Sequence, residues 1–256
     1  MKKFLLGAAA AAAIAAPGLA SAETTGHVDL NLASTEYDGG GEFDATTLGG
    51  AVQFDAMPGW TVALEGQTNT QEWDGSSSND SHSFAALHAD TNVGNWDVGG
   101  FFGLLNTYGN SGWTIGAETR TSFGNFSVEG ALGYAKYDNF TDVESLSTNL
   151  QGAYFFTPNF SVNAGAMLSN IDFGGGDYDV TDLSVGAAYG FGNGFEVYGG
   201  YVDSEFDWSG GGDFESETWN LGVRYHFNGG TLQDILNNGP SWSTVGNISD
   251  MFMRWD

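Results

Sequence analysis

Apolar and polar residues alternate along most of the chain with a period of two, which predicts β-strands. From Trp60 the apolar residues Trp60, Val62 and Leu64 interleave with small or polar ones, and the pattern restarts at Trp96, Phe126, Phe160 and Phe195. Each restart follows a segment of the residues that tight turns favour: Pro58-Gly59, Gly94-Asn95, Gly124-Asn125, Pro158-Asn159 and Gly192-Asn193-Gly194. Every such turn therefore joins an incoming strand to an outgoing one.

The spacing of these five restarts predicts a hairpin repeat. Trp60, Trp96, Phe126, Phe160 and Phe195 are separated by 36, 30, 34 and 35 residues. Such a unit holds two strands of about 10 residues, one tight turn and one loop of about 10 residues. Extending the repeat back to His27 and forward to Phe227 predicts six hairpins, or twelve antiparallel strands.

In each predicted strand, every second residue points to the same face, and the more polar of the two faces distinguishes a membrane barrel from a soluble sandwich. It carries charged and amide side chains such as Asp29, Glu65, Glu118, Arg120 and Gln151. A dry sandwich core would lose several kcal/mol for each such group, whereas a hydrated lumen tolerates them. Aromatic residues also concentrate where the strands meet the tight turns, as an interfacial girdle requires. The expected fold class is an all-β, antiparallel transmembrane β-barrel of about 12 strands, with Phe84, Phe101, Phe155 and Tyr198 narrowing its lumen.

The two ends of the chain lie outside the predicted barrel. Residues 1–22 have a secretory signal peptide's pattern: Lys2 and Lys3, an apolar run, and the cleavage site Ala20-Ser21-Ala22. Residues 23–227 form the expected barrel. Residues 228–256 are expected to be a periplasmic C-terminal tail, in which Thr231 and Asp234 have the spacing of a helix cap. The alternatives for this tail are a frayed segment and a helix that acts as a plug or partner contact.

Composition narrows the possible chemistry. The formal net charge of −26 disfavours nucleic acid as a partner, and the lack of Cys excludes disulfides and thiolate metal sites. We find no catalytic motif, so no enzyme and no cofactor are expected. We interpret Ser81-His82-Ser83 as polar residues of a loop rather than as a hydrolase site. We interpret His27 and His226 as a water-exposed pair rather than as a metal site.

The last predicted strand carries a family resemblance. Gly222-Val223-Arg224-Tyr225-His226-Phe227 resembles the C-terminal assembly signal of Gram-negative outer-membrane β-barrel proteins of the porin-like kind. The resemblance implies a location in the cell outer membrane and assigns Gly222, Tyr225 and Phe227 to assembly. It also implies three kinds of partner, namely outer-membrane lipid and lipopolysaccharide, the outer-membrane assembly machinery, and small solutes or cations.

The charges suggest what such a pore would prefer. More than half of the 32 acidic residues fall in predicted long loops near 36–44, 69–82, 137–145, 169–182 and 203–217. These loops would face outside the cell and form an acidic mouth with Asp38, Glu42, Asp177, Asp179, Asp207 and Asp213. Asp177-x-Asp179 lacks the spacing of a defined calcium loop, so we expect solvated carboxylates there.

The predicted pore-lining residues on the inward parity are Glu65, Glu118, Arg120, Glu129, Glu196 and Arg224. We read Arg120 with Glu118 and Glu129 either as a charged constriction or as an ion pair that braces the wall. The expected function is a porin-like channel for passive, cation-preferring diffusion of small hydrophilic solutes. The alternative is a non-conducting structural or adhesive barrel that acts through its acidic loops.

Overall fold

The computed structural model describes residues 24–75, 79–137, 143–228, 230–240 and 244–254. The expected signal peptide, residues 1–22, lies outside the described residues. In the described part, twelve strands form one closed antiparallel barrel, which confirms the predicted fold class and strand number. The strands are β1 Thr25–Tyr37, β2 Glu42–Met57, β3 Trp60–Trp73, β4 Asn79–Val93, β5 Trp96–Thr107, β6 Asn110–Phe123, β7 Phe126–Tyr137, β8 Val143–Thr157, β9 Phe160–Asp172, β10 Asp177–Gly190, β11 Phe195–Trp208 and β12 Asp213–Phe227.

The barrel closes where its first strand meets its last. Each strand pairs with its sequence neighbours, and β1 pairs with β12 from Gly26 opposite Phe227 to Tyr37 opposite Ser216. Closure removes the unpaired strand edges that would otherwise expose backbone N–H and C=O groups to lipid.

All five predicted tight turns lie at the same end of the barrel as Thr25 and Phe227, and we call this end the turn end. Gly94 and Gly124 adopt φ values of 69° and 60°, in the left-handed region that a side chain disfavours. These turns therefore form where the sequence places Gly.

The opposite end, which we call the loop end, differs from the prediction. The strands are 12 to 16 residues long rather than about 10, and they take up most of the segments that we expected to be loops. β5 and β6 are joined by Tyr108 and Gly109 alone. Near the loop end, both faces of the strands carry polar or aromatic residues, so the alternation of apolar and polar residues stops. The backbone pairing of the strands nevertheless continues.

The two faces of the wall follow the predicted parity. Large apolar side chains such as Leu48, Phe102, Leu150 and Trp219 are exposed on the outer face. Polar side chains such as Asn149, Glu196 and Thr218 are buried on the inner face. An apolar outside and a polar inside are the reverse of a soluble protein and suit a lipid environment.

The chain after β12 forms two helices, α1 Leu232–Asn238 and α2 Thr244–Arg254. Thr231 and Asp234 form a capping box at the start of α1, at the predicted position. The expectation of a periplasmic tail outside the barrel is wrong for these helices. Val245, Ile248 and Met251 of α2 are fully buried in one cluster with the inward side chains of Phe84 and Phe101. Neither α1 nor α2 is long and apolar enough to cross a membrane.

Candidate functional site

A polar cavity of about 440 Å³ remains inside the barrel beside the two helices. Leu236, Pro240, Asn247 and Asp250 border it on the helical side. Inward residues of the strands from β7 through β12 and from β1 to β3 form the opposite wall. Gly, Ala, Ser and Asn are frequent on that wall, and their small side chains leave the space open.

The charged groups on the cavity surface are mostly carboxylates. Six acidic residues line it, namely Asp29, Glu65, Glu129, Asp182, Glu196 and Asp250. Arg224 is the one Lys or Arg among the described lining residues. Low-dielectric walls focus the field of such charges, so carboxylates dominate the electrostatic potential inside the cavity.

Four of the six predicted pore-lining residues, Glu65, Glu129, Glu196 and Arg224, border this cavity. The other two, Glu118 and Arg120, also face inward but are buried, with 2% and 3% of their surface exposed. The structure therefore separates four predicted residues that border the cavity from two that do not.

Arg224 belongs to a polar group at the seam between β12, β1 and β11. Its Nη1 lies 3.9 Å from Glu196 Oε1, and its guanidinium stands 4.8 Å from the centre of the Tyr198 ring. The Tyr198 hydroxyl donates to Asp29 Oδ2 at 3.2 Å. The positive charge of Arg224 is therefore partly balanced by neighbouring carboxylates and a ring face.

His27 and His226 are directly opposite each other in this group, as predicted, but the expectation that they are water-exposed is wrong. Both are buried, with ring centres 5.7 Å apart. His226 Nε2 lies 2.6 Å from Glu196 Oε2, and His27 Nε2 lies 3.6 Å from Asp29 Oδ1. No group of three or more His, Asp or Glu side chains in the described residues has metal-binding geometry.

A second polar chain crosses the wall from β3 to β6. His88 Nδ1 lies 2.8 Å from Glu118 Oε1, and His88 Nε2 lies 3.2 Å from Glu65 Oε2. The imidazole thus links a buried carboxylate to one at the cavity surface. This arrangement links β3, β4 and β6 on the inner face of the wall, across β5.

Arg120 makes its contacts with Asp97 and with the helical segment. Its Nε lies 3.5 Å from Asp97 Oδ2, and its Nη1 donates to the carbonyls of Leu236 at 3.3 Å and Gly239 at 3.0 Å. Glu129 is its register partner on β7. The guanidinium is therefore covered by α1 rather than presented to the cavity.

The predicted acidic mouth is not lined by the residues assigned to it. Glu42, Asp177, Asp179, Asp207 and Asp213 lie on strands, with exposed side chains on the outward parity, and Asp38 lies in the connection after β1. The inner side of the loop end is aromatic instead, with Phe206 stacked on Phe214 at 4.4 Å between ring centres. Asp138 and Asp142 of the expected loops lie outside the described residues. The acidic residues therefore form an outer rim.

Ser81 and Ser83 lie on β4 and not in a loop, and His82 between them faces inward and is buried. Its Nδ1 lies 3.3 Å from Thr107 Oγ1. This histidine packs as part of the inner wall.

The three residues assigned to assembly lie at the closure seam. The Phe227 ring covers Gly26 of β1, where an added Cβ would lie 2.2 Å from the ring's Cζ. The Tyr198 ring covers Gly222 in the same way on the inner face, at 2.3 Å. Tyr225 is exposed on the outer face next to Phe195, with ring centres 5.0 Å apart. An aromatic ring packed on a glycine backbone stabilises the closure of the barrel. The role of Gly222, Tyr225 and Phe227 in assembly remains a prediction.

Sequence reasoning did not identify α2 as part of the site. Val245, Ile248 and Met251 recur every three residues, a spacing that gives an amphipathic helix one apolar face. That signal is present in the sequence, but which wall the face would contact depends on residues more than 100 positions earlier.

Comparisons with known proteins place this barrel among outer-membrane proteins. A family described as Gram-negative porin matches residues 59–233. An outer membrane channel from Pseudomonas putida F1 superposes with a TM-score of 0.62 at 14% identity, over 80% of this chain and 95% of that chain. An anion-selective porin from Comamonas acidovorans gives a TM-score of 0.46 at 11% identity, over 81% and 99% of the two chains. No curated protein matches the sequence. At 14% identity, the similarity to the Pseudomonas putida channel reports on the fold.

Proposed function

Because the chain belongs to the Gram-negative porin family and lies in the outer membrane, we propose that it is a channel for passive diffusion of small hydrophilic solutes, with a preference for cations. The observation that carries the proposal is the polar cavity inside the closed barrel. Its carboxylates outnumber its cationic side chains among the described lining residues. The proposal involves no catalytic step.

The preference is expected to come from the wall and not from the outer rim. Exposed charges are screened beyond about 8 Å at physiological ionic strength. Rim carboxylates such as Glu36 point away from the lumen, whereas Glu65 and Glu129 border the cavity. Wall carboxylates therefore act on a solute at closer range and with less intervening water.

The outer surface supports the expected membrane partners. The exposed apolar side chains would contact outer-membrane lipid, and the acidic rim would lie at the level of the lipopolysaccharide headgroups if the loop end faces outside. Phe227 and Tyr225 at the seam would be read by the outer-membrane assembly machinery. These three contacts belong to the same proposal.

Reversal potentials of the full-length protein in planar bilayers test the selectivity. Across a KCl gradient we expect cation preference that weakens as salt rises. Glu65→Gln and Glu129→Gln should each reduce the preference, whereas Glu36→Gln on the outer rim is the matched control and should leave it unchanged. Anion preference at low salt, or an equal effect of all three substitutions, would contradict the proposal.

A further inference from the structure

We propose that α1 and α2 form a built-in plug that holds the channel closed, with Arg120 as the residue that positions it. The inference rests on the proposed channel function and adds a gate to it. The plug consists of residues 231–240 and 244–254. Four sets of contacts carry the inference.

First, α1 lies across the turn end of the lumen. The backbone N–H of Gln233 donates to the Pro158 carbonyl at 2.9 Å, and its side-chain amide donates to the Gly124 carbonyl at 2.8 Å. On β2, the Gln53 side chain donates to the Asn238 carbonyl at 2.8 Å. These contacts reach two of the tight turns and a third place on the rim, so α1 bridges the opening.

Second, Arg120 serves the C-terminal end of α1. The last carbonyls of a helix lack partners within the helix and carry partial negative charge. The last turn of α1 contains no basic residue. The Arg120 guanidinium on the barrel wall donates to the carbonyls of Leu236 and Gly239. It thereby supplies the positive charge that the helix itself lacks at this end.

Third, the wall is shaped to receive α2. An added Cβ at Gly133 would lie 2.7 Å from Ile248 Cδ1, and one at Gly103 would lie 3.4 Å from Val245 Cγ1. Phe101 is part of the same cluster. Two glycines and an inward aromatic ring thus form a seat that fits one face of this helix.

Fourth, the plug and the loop end form one continuous apolar cluster. Val245, Ile248 and Met251 share this cluster with Tyr137 and Phe206. On the other side of α2, Gln67 donates to Asp250 Oδ1 at 3.2 Å at the edge of the polar cavity. The docked helix thus separates an apolar seal from the hydrated space.

The barrel itself closes through strand pairs that do not involve the plug. In the sequence, Asn228-Gly229-Gly230 joins β12 to the plug. Undocking therefore requires breaking the plug's own contacts and leaves the β1–β12 seam in place.

A disulfide lock tests the gate in the full chain. The protein has no Cys, so Gly103→Cys with Val245→Cys introduces the only thiol pair. An added Cβ at Gly103 would lie 3.4 Å from Val245 Cγ1, a position that a cysteine Sγ at residue 245 can occupy, so the two sulfurs can approach bonding distance. In planar bilayers we expect the reduced double variant to open and close, the oxidised one to stay closed, and reduction to restore opening. The two single-Cys variants are controls that should not respond to oxidation.

The substitution Arg120→Met tests independently whether Arg120 positions the plug. We expect it to raise the open probability about tenfold in the full chain, and to have no effect in the oxidised lock background. Lys136→Met, which removes a positive charge from the outer face, is the charge-matched control. If Arg120 only braced the wall, its effect would persist when the plug is locked.

The outcomes separate the gate from the channel itself. Cation-preferring conductance that is the same in the oxidised and reduced lock overturns the gate and leaves the channel standing. Absence of conductance in every variant, including reduced protein with Arg120→Met, overturns both. Closure on oxidation with recovery on reduction supports the gate.

Discussion

Replacing Ile248 by Ala should loosen the plug without loosening the barrel. Ile248 is 1% exposed and sits over Gly133 in the apolar cluster. The substitution removes three carbons, worth about 0.8 kcal/mol each, and leaves a space that adds to the cost. The higher helix propensity of Ala returns a few tenths of a kcal/mol. The net cost of docking is then about 2–3 kcal/mol, or roughly a 30- to 150-fold shift toward the undocked state.

Hydrogen exchange measured by mass spectrometry checks this estimate. Peptides covering 244–254 should exchange faster by up to that factor, while peptides from β5 and β7 should keep their protection. Asn247→Ala is the matched control, because Asn247 lies on the same helix but borders the cavity. The reasoning would be refuted if protection of α2 did not change, or if β5 and β7 lost protection equally.

Three further predictions concern the seam and the helix cap. Phe227→Ala should lower the amount of folded protein in the outer membrane more than Phe156→Ala, because Phe227 covers Gly26 whereas Phe156 is 60% exposed; equal losses in a heat-modifiability gel would contradict this. Gly26→Ala should impair folding, since its Cβ would lie 2.5 Å from the Ala51 carbonyl oxygen, whereas Gly130→Ala, whose Cβ would lie 3.7 Å from the Asn149 carbonyl oxygen, should fold normally in the same gel. Hydrogen bonds from Thr231 hold the pKa of the Asp234 carboxyl below its ordinary value. The cap should therefore stabilise α1 above about pH 4 and lose this effect as the pH falls through the lowered pKa. Exchange of α1, corrected for its intrinsic pH dependence, should show this loss, and Asp234→Asn, which removes the titrating carboxyl, should abolish it.

The amino-acid sequence determined the barrel because its signals are local. Alternation with a period of two assigns each side chain to one face, and turns such as Gly94-Asn95 and Gly124-Asn125 place neighbouring strands in register. The shared end of the tight turns follows from patterns within one hairpin, and so do the inward orientations of Glu65, Glu129, Glu196 and Arg224. The strand number follows from how often that hairpin repeats along the chain.

The tertiary structure decided what fills the barrel. The sequence predicted loops around Asp177 and Asp207 because the hydrophobic alternation ends before the strands do. Only the pairing of β10 with β11 shows that these residues lie on strands with their side chains pointing outward. The sequence allowed Arg120 to be interpreted as part of a charged constriction. The carbonyls that it contacts lie more than 100 residues later in the chain. The contact of Ile248 with Gly133 joins two segments that lie more than 100 residues apart in the chain. No local pattern encodes such a contact, because shape complementarity between distant segments exists only in three dimensions.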